Sequence, residues 1–309
     1  MGVELIGFAD YFAVHQPDLV IILGDRYEML MVASAAMIAR IPIAHIHGGE
    51  VTEGLIDEAI RHSITKMSQL HFVSTEEYRR RVIQMGEQPD AVYNVGALGV
   101  ENVKNIRLLD REQLEKEIDF KFSEKTVLVT FHPVTLEKMT AKEQFSNLLK
   151  VLDRHKELKI IFTKANADTD GRIINEMIDN FAGKNKNRCA AYTSLGQLRY
   201  LSAVRQCCAV VGNSSSGIIE VPSFGIPTVN IGDRQRGRVC AGSVISCGNA
   251  IEEIQKALEE ALSADFYKVI QKMKNPYEGE NTAQTIYETI NHKLQQGISL
   301  KKCFYNLEK

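Results

Sequence analysis

The chain has 309 residues, which is enough for two domains of about 150 residues that each bury a core. It carries 37 basic and 39 acidic residues, a net charge of −2, and 25% of its residues are charged against 44% hydrophobic. These values are typical of a globular protein. They argue against a nucleic-acid binder that relies on bulk attraction to phosphate, and against long disorder.

The terminus and the cysteines predict a reduced, cytoplasmic protein that does not enter a membrane. The longest apolar run, residues 30–39, is too short to cross a bilayer, and Glu4 and Asp10 interrupt the first ten residues without a preceding basic cluster. All six cysteines follow position 188, and no C-x-x-C pair occurs. We therefore expect neither a disulfide framework nor a structural zinc site.

The first part of the chain alternates between apolar runs and helix-forming segments. A helical segment over residues 2–15 comes first. Strands are predicted at residues 19–23, 41–46, 71–73 and 91–95, with helices at 27–39, 57–67 and 75–85 between them. Because the apolar residues are consecutive and do not alternate with polar ones, they indicate strands of a parallel sheet that helices cover on both faces.

Residues 96–110 interrupt this alternation, and a second α/β series follows. Strands are predicted at 126–130, 159–163, 189–192, 209–211 and 228–231, and helices through 148–152, at 172–181, at 195–206, after Gly217, at 250–262 and at 282–295. The fold class is therefore α/β with parallel sheets. We place an N-terminal domain at 1–105, a second domain at 106–280, and a C-terminal helix and tail at 281–309.

Four polar segments follow predicted strands. They are Gly24-Asp25-Arg26, the run from His45 to Glu50, His132-Pro133, and the Gly/Ser loop from Gly212 to Gly217. Because ligands of doubly wound sheets bind at the carboxyl ends of the strands, these segments are the candidates for a site.

The Gly/Ser loop has the clearest chemistry. Its backbone N–H groups and hydroxyls would lie at the start of a helix, where they suit a phosphate, although a plain N-cap loop explains the same residues. The loop lacks the lysine of a P-loop and the spacing of a dinucleotide fingerprint. Glu220 could accept hydrogen bonds from both ribose hydroxyls, or it could be an ordinary glutamate on a helix surface.

The basic residue after the first strand also has two interpretations. Arg26 could form a structural ion pair with Asp25, or it could bind a phosphate through its planar, permanently charged guanidinium.

The histidines allow a zinc site or a catalytic role. His45 and His47 should share a strand face, and with Glu50 and His62 they could bind zinc. The neighbouring Arg61 is a poor companion for a cation, so satisfied or catalytic histidines are the favoured interpretation.

The start of the following helix is the last candidate. Asp57, Glu58 and Arg61 fit an ordinary first helical turn, and their nearness to His47 in sequence favours function.

In combination, these segments resemble the hydrolysing UDP-N-acetylglucosamine 2-epimerases, and most closely the branch that makes sialic and legionaminic acid precursors. The resemblance covers nearly the whole chain in order. It rests on the segments already named, together with Ile56-Asp57-Glu58, Arg61-His62, Val134-Thr135, Glu220 and Arg234.

The resemblance implies two Rossmann-like domains with parallel sheets around a cleft, similar to glycosyltransferase B. It implies that the C-terminal half holds the nucleotide and that the N-terminal half acts on the sugar. The implied catalytic residues are Asp25, His47, Glu50, Asp57 and His132. The implied substrate-binding residues are Arg26, Arg61, Leu195, Tyr200, Ser214, Ser215, Gly217, Glu220 and Arg234. His47 stands where several family members have a glutamate.

The implied reaction eliminates UDP from an N-acetylated hexosamine and adds water to a glycal-like intermediate, without a cofactor or a metal. The product would be N-acetylmannosamine, or its deoxy-diacetamido relative if the substrate is UDP-N,N'-diacetylbacillosamine. The resemblance also implies a homodimer or homotetramer. A metal-dependent hydrolase that uses His45, His47 and Glu50, and a non-catalytic UDP-sugar sensor, are the alternatives.

The beginning of the chain departs from this pattern. Family members begin with a strand and a Gly-x-Arg-type loop that touches the nucleotide, whereas this sequence opens with a helical segment. We therefore expect a truncated or alternatively started chain, with an exposed edge on the first sheet.

Overall fold

The computed structural model describes residues 1–53, 56–134, 139–165 and 169–307, so Thr135 of the resemblance lies outside the described residues. Contacts divide the chain into two compact units. Unit 1 comprises Met1–Thr52, Ile56–Glu101 and Tyr277–Lys309, and unit 2 comprises Glu53–Leu55 and Asn102–Pro276. The predicted domain bounds of 1–105, 106–280 and 281–309 stay a prediction about which segments fold independently. Within the described ranges, no helix has the length and apolar character needed to span a membrane.

Unit 1 contains one parallel sheet in the order β1-β2-β3-β4. Its elements are α1 (Gly2–Val14), β1 (Val20–Leu23), α2 (Tyr27–Ile38), β2 (Ile43–Ile46), α3 (Asp57–Met67), β3 (Leu70–Val73), α4 (Glu76–Gln84), β4 (Val92–Asn94) and, after unit 2, α13 (Thr282–Gln296). The chain passes from unit 1 to unit 2 within α5 (Leu98–Asn105). One face of the sheet packs against α1 and α2. On the other face, Ile286 and Ile290 of α13 pack against Ala44, Ile46 and Phe72.

The first strand is an edge strand with one uncovered face. Ile22 is fully buried against α1 and α2, whereas Ile21 is 55% exposed and Leu23 is 56% exposed. The prediction that consecutive apolar residues mark a strand covered on both faces is therefore wrong for β1. The reason is that α13 covers β2 and β3 without covering the outward face of β1.

Unit 2 contains the second parallel sheet, in the order β10-β9-β8-β5-β6-β7. Its elements are α6 (Arg111–Ile118), β5 (Thr126–Thr130), α7 (Ala141–Arg154), β6 (Lys159–Thr163), α8 (Thr169–Lys184), β7 (Cys189–Tyr192), α9 (Gly196–Gln206), β8 (Ala209–Gly212), α10 (Ser215–Ile219), β9 (Thr228–Ile231), β10 (Val244–Cys247), α11 (Ile251–Ala261) and α12 (Ala264–Ile270). The strand order reverses direction between β5 and β8. At such a switch point the loops after the two strands diverge and leave space for a ligand.

The α/β class with two parallel sheets is confirmed, and β5, β6, β7 and β9 have the predicted bounds. Helix α5 lies in the segment that was predicted to interrupt the pattern, and α6, β10 and α12 were not predicted. β10 has the sequence Val-Ile-Ser-Cys, and an apolar run this short is a weak signal for a strand. The helix predicted after Gly217 is present, but it begins earlier, at Ser215, and ends at Ile219.

Candidate active site

A buried arginine organises the polar residues of unit 1. Arg61 is 1% exposed and forms an ion pair with Asp25 at the carboxyl end of β1. It also donates to the Glu50 backbone carbonyl at 2.7 Å, to Thr52 Oγ1 at 2.9 Å and to Glu58 Oε2 at 2.8 Å. One guanidinium therefore connects three predicted site segments, and its planar fork of donors is suited to that task.

Glu58 carries a negative charge that several donors stabilise. Its carboxylate accepts from the Thr52 backbone N–H at 2.7 Å, from Arg61, and from His62 Nε2 at 3.1 Å. Burial alone would raise the pKa of Glu58, but these hydrogen bonds outweigh it and lower the pKa to about 2. Glu58 thus stays ionised and neutralises part of the Arg61 charge.

A second arrangement joins a histidine to a buried acid. Nδ1 of His47 lies 2.8 Å from Oε1 of Glu50, which also accepts from Ser74 Oγ at 3.0 Å. Glu50 is 4% exposed, while the His47 side chain is 17% exposed and can meet a small molecule. An imidazole held by a fixed carboxylate is a suitable proton-transfer group.

His45 within β2 and His47 just after it have different surroundings. Nε2 of His45 lies 2.9 Å from the Gly24 carbonyl oxygen and Nδ1 lies 3.1 Å from Thr65 Oγ1. β2 ends at Ile46 and His47 has a φ of 68°, so the strand alternation that predicted a shared face no longer applies to His47. The shared face stays a prediction.

The zinc interpretation finds no arrangement of ligands in unit 1. Both ring nitrogens of His45 have protein partners, and the described residues include no group of three His, Cys, Asp or Glu side chains placed to hold a metal. The arrangement therefore favours hydrogen-bonded histidines over a metal centre.

Two other predicted residues of unit 1 lie nearer the surface. The Arg26 side chain is 71% exposed and pairs with Glu28 at 2.7 Å, so the predicted alternative of an Asp25–Arg26 ion pair is wrong. Asp57 is half-buried in the first turn of α3.

In unit 2, Asn213 joins the loops that follow β5 and β8. Its side chain accepts from the His132 backbone N–H at 2.7 Å and donates to the His132 carbonyl at 2.8 Å. Asn213 is 1% exposed, so this pair of hydrogen bonds is shielded from water. The amide thereby fixes the His132 backbone at the switch point of the sheet.

The glycine before Asn213 is required by a close approach of two strands. Gly212 has a φ of 136°, and a Cβ at this position would lie 1.9 Å from the Thr130 carbonyl oxygen. No other residue type fits without moving β5.

The Ser/Gly loop forms the start of a short helix. Ser214 is the N-cap residue of α10, and Ser215 begins the helix. Because α10 has only five residues, an anion at this loop would depend on hydroxyl and N–H groups more than on a helix dipole. Gly217 is buried, and a Cβ there would lie 2.8 Å from Thr228 Cγ2. A side chain at this position would therefore disturb the packing, and the predicted contact of Gly217 with the substrate stays a prediction.

Two side chains from the loop after β9 converge on Asn213. Arg234 Nη1 and Gln235 Nε2 each donate to the Asn213 carbonyl at 2.9 Å. Arg234 is half-buried, and Glu220 is half-buried at the end of α10. The structure therefore brings Arg234, Ser214 and the His132 backbone to the neighbourhood of one asparagine.

Two of the implied substrate-binding residues, Leu195 and Tyr200, lie at the N-cap of α9 and within it. Leu195 is 4% exposed and belongs to an apolar cluster of unit 2, while Tyr200 is half-buried next to it. Burial raises the pKa of Tyr200, and the neighbouring Ser216 hydroxyl opposes that rise. Tyr200 is therefore a neutral phenol.

Sequence reasoning did not select Thr52, Ser74, Asn213 or Gln235 as site residues. Asn213 lies within the Gly/Ser loop from Gly212 to Gly217, and it could have been selected as the polar side chain most suited to anchor that loop. Thr52 and Ser74 carry no such signal, because their contacts to Arg61 and Glu50 depend on tertiary packing.

Comparison with known proteins gives a consistent family. The UDP-N-acetylglucosamine 2-epimerase model matches residues 1–291. The GDP/UDP-N,N'-diacetylbacillosamine 2-epimerase (hydrolyzing) of Campylobacter jejuni is 44% identical over 86% of this chain and 69% of its own length. The polysialic acid biosynthesis protein P7 of Escherichia coli is 40% identical over 99% of this chain and 78% of its own length.

Solved structures show the same fold. Staphylococcus aureus MnaA with UDP has a TM-score of 0.81 at 16% identity, over 99% of this chain and 81% of that one. The Neisseria meningitidis UDP-GlcNAc 2-epimerase bound to UDP-GlcNAc has a TM-score of 0.80 at 19% identity, over 94% of this chain and 80% of that one. The expected glycosyltransferase B type of fold is confirmed, while the cleft stays a prediction. The chain belongs to the UDP-N-acetylglucosamine 2-epimerase family.

Proposed function

We propose that this enzyme is a hydrolysing 2-epimerase that releases UDP and a free 2-acetamido sugar from a UDP-linked N-acetylhexosamine. The observation that carries the proposal is the contact between His47 and the buried Glu50, because it supplies a fixed proton-transfer pair. The hydrolysing type is supported by the 44% identical relative, whose name includes that activity.

The reaction has two balanced steps. A base removes the proton from carbon 2 of the sugar, the electron pair forms a double bond between carbons 1 and 2, and the bond from carbon 1 to the UDP oxygen breaks. Water then adds its hydroxyl to carbon 1, and a proton returns to carbon 2 from the opposite face. The products are UDP and N-acetylmannosamine when the substrate is UDP-N-acetylglucosamine.

We assign the chemistry at the sugar to residues of unit 1. His47 with Glu50 transfers the proton at carbon 2, and Asp25 and Asp57 are acid or base groups for the return step and the attacking water. A positioned acid or base of this kind contributes about 10²- to 10⁴-fold in rate. Arg61 holds Asp25 in place, because its donors are already engaged by protein acceptors.

We assign the nucleotide to residues of unit 2, with Arg26 of unit 1. Cationic and hydroxyl groups suit a diphosphate, whose negative charge grows as it leaves carbon 1. Glu220 suits the ribose hydroxyls, and we assign the uracil to the neighbourhood of Leu195 and Tyr200. The groups assigned to the diphosphate are Arg26, His132, Ser214, Ser215 and Arg234.

A second substrate is a specific candidate. The 44% identical relative is named for N,N'-diacetylbacillosamine, and so is a 34% identical relative from Legionella pneumophila, over 98% of this chain. We propose UDP-N-acetylglucosamine, for which the family is named, as the first candidate substrate. UDP-N,N'-diacetylbacillosamine is the second. Parallel incubations with both, followed by NMR of the released sugar, decide between them.

Isotope labels test the reaction itself. In D2O we expect one deuteron at carbon 2 of the product, and in H2¹⁸O we expect the label at carbon 1 of the sugar and none in UDP. Hydrolysis without deuterium at carbon 2, or activity that excess chelator abolishes, would instead support a metal-dependent hydrolase. Binding of UDP-sugar without release of UDP would support a sensor.

The expected homodimer or homotetramer is also a proposal. Light scattering coupled to size-exclusion chromatography gives the molar mass, and a mass equal to that of one chain would contradict it.

A further inference from the structure

We propose that His45 is a positioning residue for the reaction: as a neutral imidazole it fastens the backbone that precedes Asp25 to helix α3, which carries Arg61. The inference rests on the proposed function for its kinetic part. It concerns a residue that touches neither Asp25 nor Arg61 through its side chain, and it starts from the two hydrogen bonds of the His45 ring.

The first step is the protonation of the ring. Nε2 of His45 lies 2.9 Å from the Gly24 carbonyl oxygen, which can only accept, so Nε2 must carry a proton. The ring is fully buried, and this burial, the largest effect, lowers the pKa of His45 to about 3. A neutral ring with its proton on Nε2 has a bare Nδ1, which lies 3.1 Å from Thr65 Oγ1 and can accept the proton of that hydroxyl.

The second step concerns the backbone of Gly24, which these hydrogen bonds hold in place. Gly24 has a φ of 76°, a backbone conformation that packing alone specifies poorly. Its N–H donates to the Ile46 carbonyl at 3.0 Å, and its carbonyl accepts from His45. Both polar groups of Gly24 are therefore fixed, and the next residue in the chain is Asp25.

The third step is the connection to α3. Thr65 lies one helical turn after Arg61, and its hydroxyl is 3.0 Å from the Arg61 carbonyl, the alternative acceptor for its single proton. His45 therefore joins the end of β1 to the turn of α3 that carries Arg61. One imidazole thus contacts both the segment that carries Asp25 and the helix that carries Arg61.

The lack of free space around the ring fixes its orientation. A Cβ at Gly48 would lie 3.0 Å from both His45 Nδ1 and Thr65 Oγ1, so the backbone after β2 closes against the pair. The ring cannot rotate without breaking both hydrogen bonds.

Two substitutions at His45 separate positioning from simple packing. The glutamine of His45→Gln keeps an N–H donor at the place of Nε2, whereas the phenylalanine of His45→Phe fills the space without a donor. We expect kcat to fall by at least about tenfold in His45→Phe with KM nearly unchanged, and to recover to within about threefold in His45→Gln. The affinity for UDP, measured by calorimetry, should change by less than about twofold in both variants.

His71 offers a matched control. It is fully buried, pairs with His45 in the register of β2 and β3, and hydrogen-bonds Glu87 at 3.0 Å, away from Asp25. His71→Gln should therefore lower stability without changing kcat. If His45→Phe does not fold, Thr65→Val removes only the hydroxyl at Nδ1, and a several-fold loss of kcat is expected.

A spectroscopic measurement tests the ring without activity. ¹⁵N-labelled imidazole resonances at pH 7 should include a histidine with a protonated Nε2 and a bare Nδ1 that is lost in His45→Gln and retained in His71→Gln. An imidazolium, the opposite tautomer, or equal kcat in wild type, His45→Phe and Thr65→Val would overturn the inference. Absence of UDP release by the wild type would instead contradict the proposed function and leave the tautomer result to decide the geometry.

Discussion

Asp25 and Arg61 form an ion pair across 36 positions of sequence, and the guanidinium of that pair is 1% exposed. The pair joins the loop after β1 to α3 at the carboxyl edge of the unit 1 sheet. Arg61 also donates to the Glu50 backbone carbonyl, to Thr52 and to Glu58, so a change at Arg61 affects Asp25, Glu58 and the backbone at Glu50 together.

We expect Arg61→Lys to destabilise unit 1 by about 3 kcal/mol, because one ammonium cannot replace a guanidinium that serves acceptors on three segments. Urea unfolding measures the loss in free energy of unfolding, and kcat should fall with it. Arg80→Lys is the control, since that side chain is 77% exposed. Equal stability of Arg61→Lys and Arg80→Lys would show that the buried hydrogen bonds have little value.

We expect Glu50→Gln to lower kcat by about 10²- to 10⁴-fold while the affinity for UDP stays within about twofold, because the amide cannot support a charged His47. Glu77→Gln is the control, as its side chain is 57% exposed on α4. Stopped assays of UDP release and calorimetry with UDP provide the two readouts.

Arg234→Ala should show the reverse pattern and weaken UDP binding by about tenfold, the value of one charge-assisted contact to phosphate. The substitution also removes a hydrogen bond to the Asn213 carbonyl. Arg234→Gln, which can still donate to that carbonyl, separates the two effects. Weak UDP binding in Glu50→Gln with normal binding in Arg234→Ala would mean that the roles are assigned to the wrong units.

The sequence predicted the parts of the fold that depend on local signals. The bounds of β5, β6, β7 and β9 followed from apolar runs between helix formers, and the site loops followed from the rule that ligands bind after strands. Tertiary contacts were beyond its reach. No local signal in the chain indicates that Arg61 pairs with Asp25 in addition to the acid in its own helix turn. Equally, no local signal indicates that Ser74 donates to Glu50.

Other sequence predictions were limited because they assumed a regular backbone conformation. The expectation that His45 and His47 share a face assumed a strand that continues through His47, and the positive φ of that residue ends the alternation. The exposure of one face of β1 could not be predicted either, because an apolar run does not indicate whether helices cover one face of the strand or both.

Stability should depend on pH through Glu87. This residue is 3% exposed and is held by His71, Lys66 and the C-terminal Lys302. Burial alone would raise the pKa of Glu87, but hydrogen bonds from these groups lower it to about 2 from an ordinary value of 4.5. Because the folded-state pKa lies below the unfolded one, the stabilisation is present above about pH 5 and is lost as pH falls through 4.5 towards 2.

Glu87→Gln should therefore be less stable than wild type at pH 7, and the difference should shrink between about pH 5 and pH 3. Burial also lowers the pKa of His71, so both proteins should lose some stability below about pH 6.5. Urea unfolding at each pH measures the curves. A constant difference between the two proteins from pH 7 to pH 3 would contradict the role of Glu87.

The uncovered face of β1 predicts association between copies at high concentration. Edge strands with exposed apolar side chains favour pairing between chains, and a charge on the exposed face opposes it. We expect Ile21→Lys to lower concentration-dependent light scattering, with a melting temperature within about 2 °C of wild type because Ile21 is 55% exposed. Ile22→Lys is the matched control: it buries a charge in the cluster of α1 and α2 and should unfold unit 1. Scattering that does not respond to Ile21→Lys would show that this face does not mediate association.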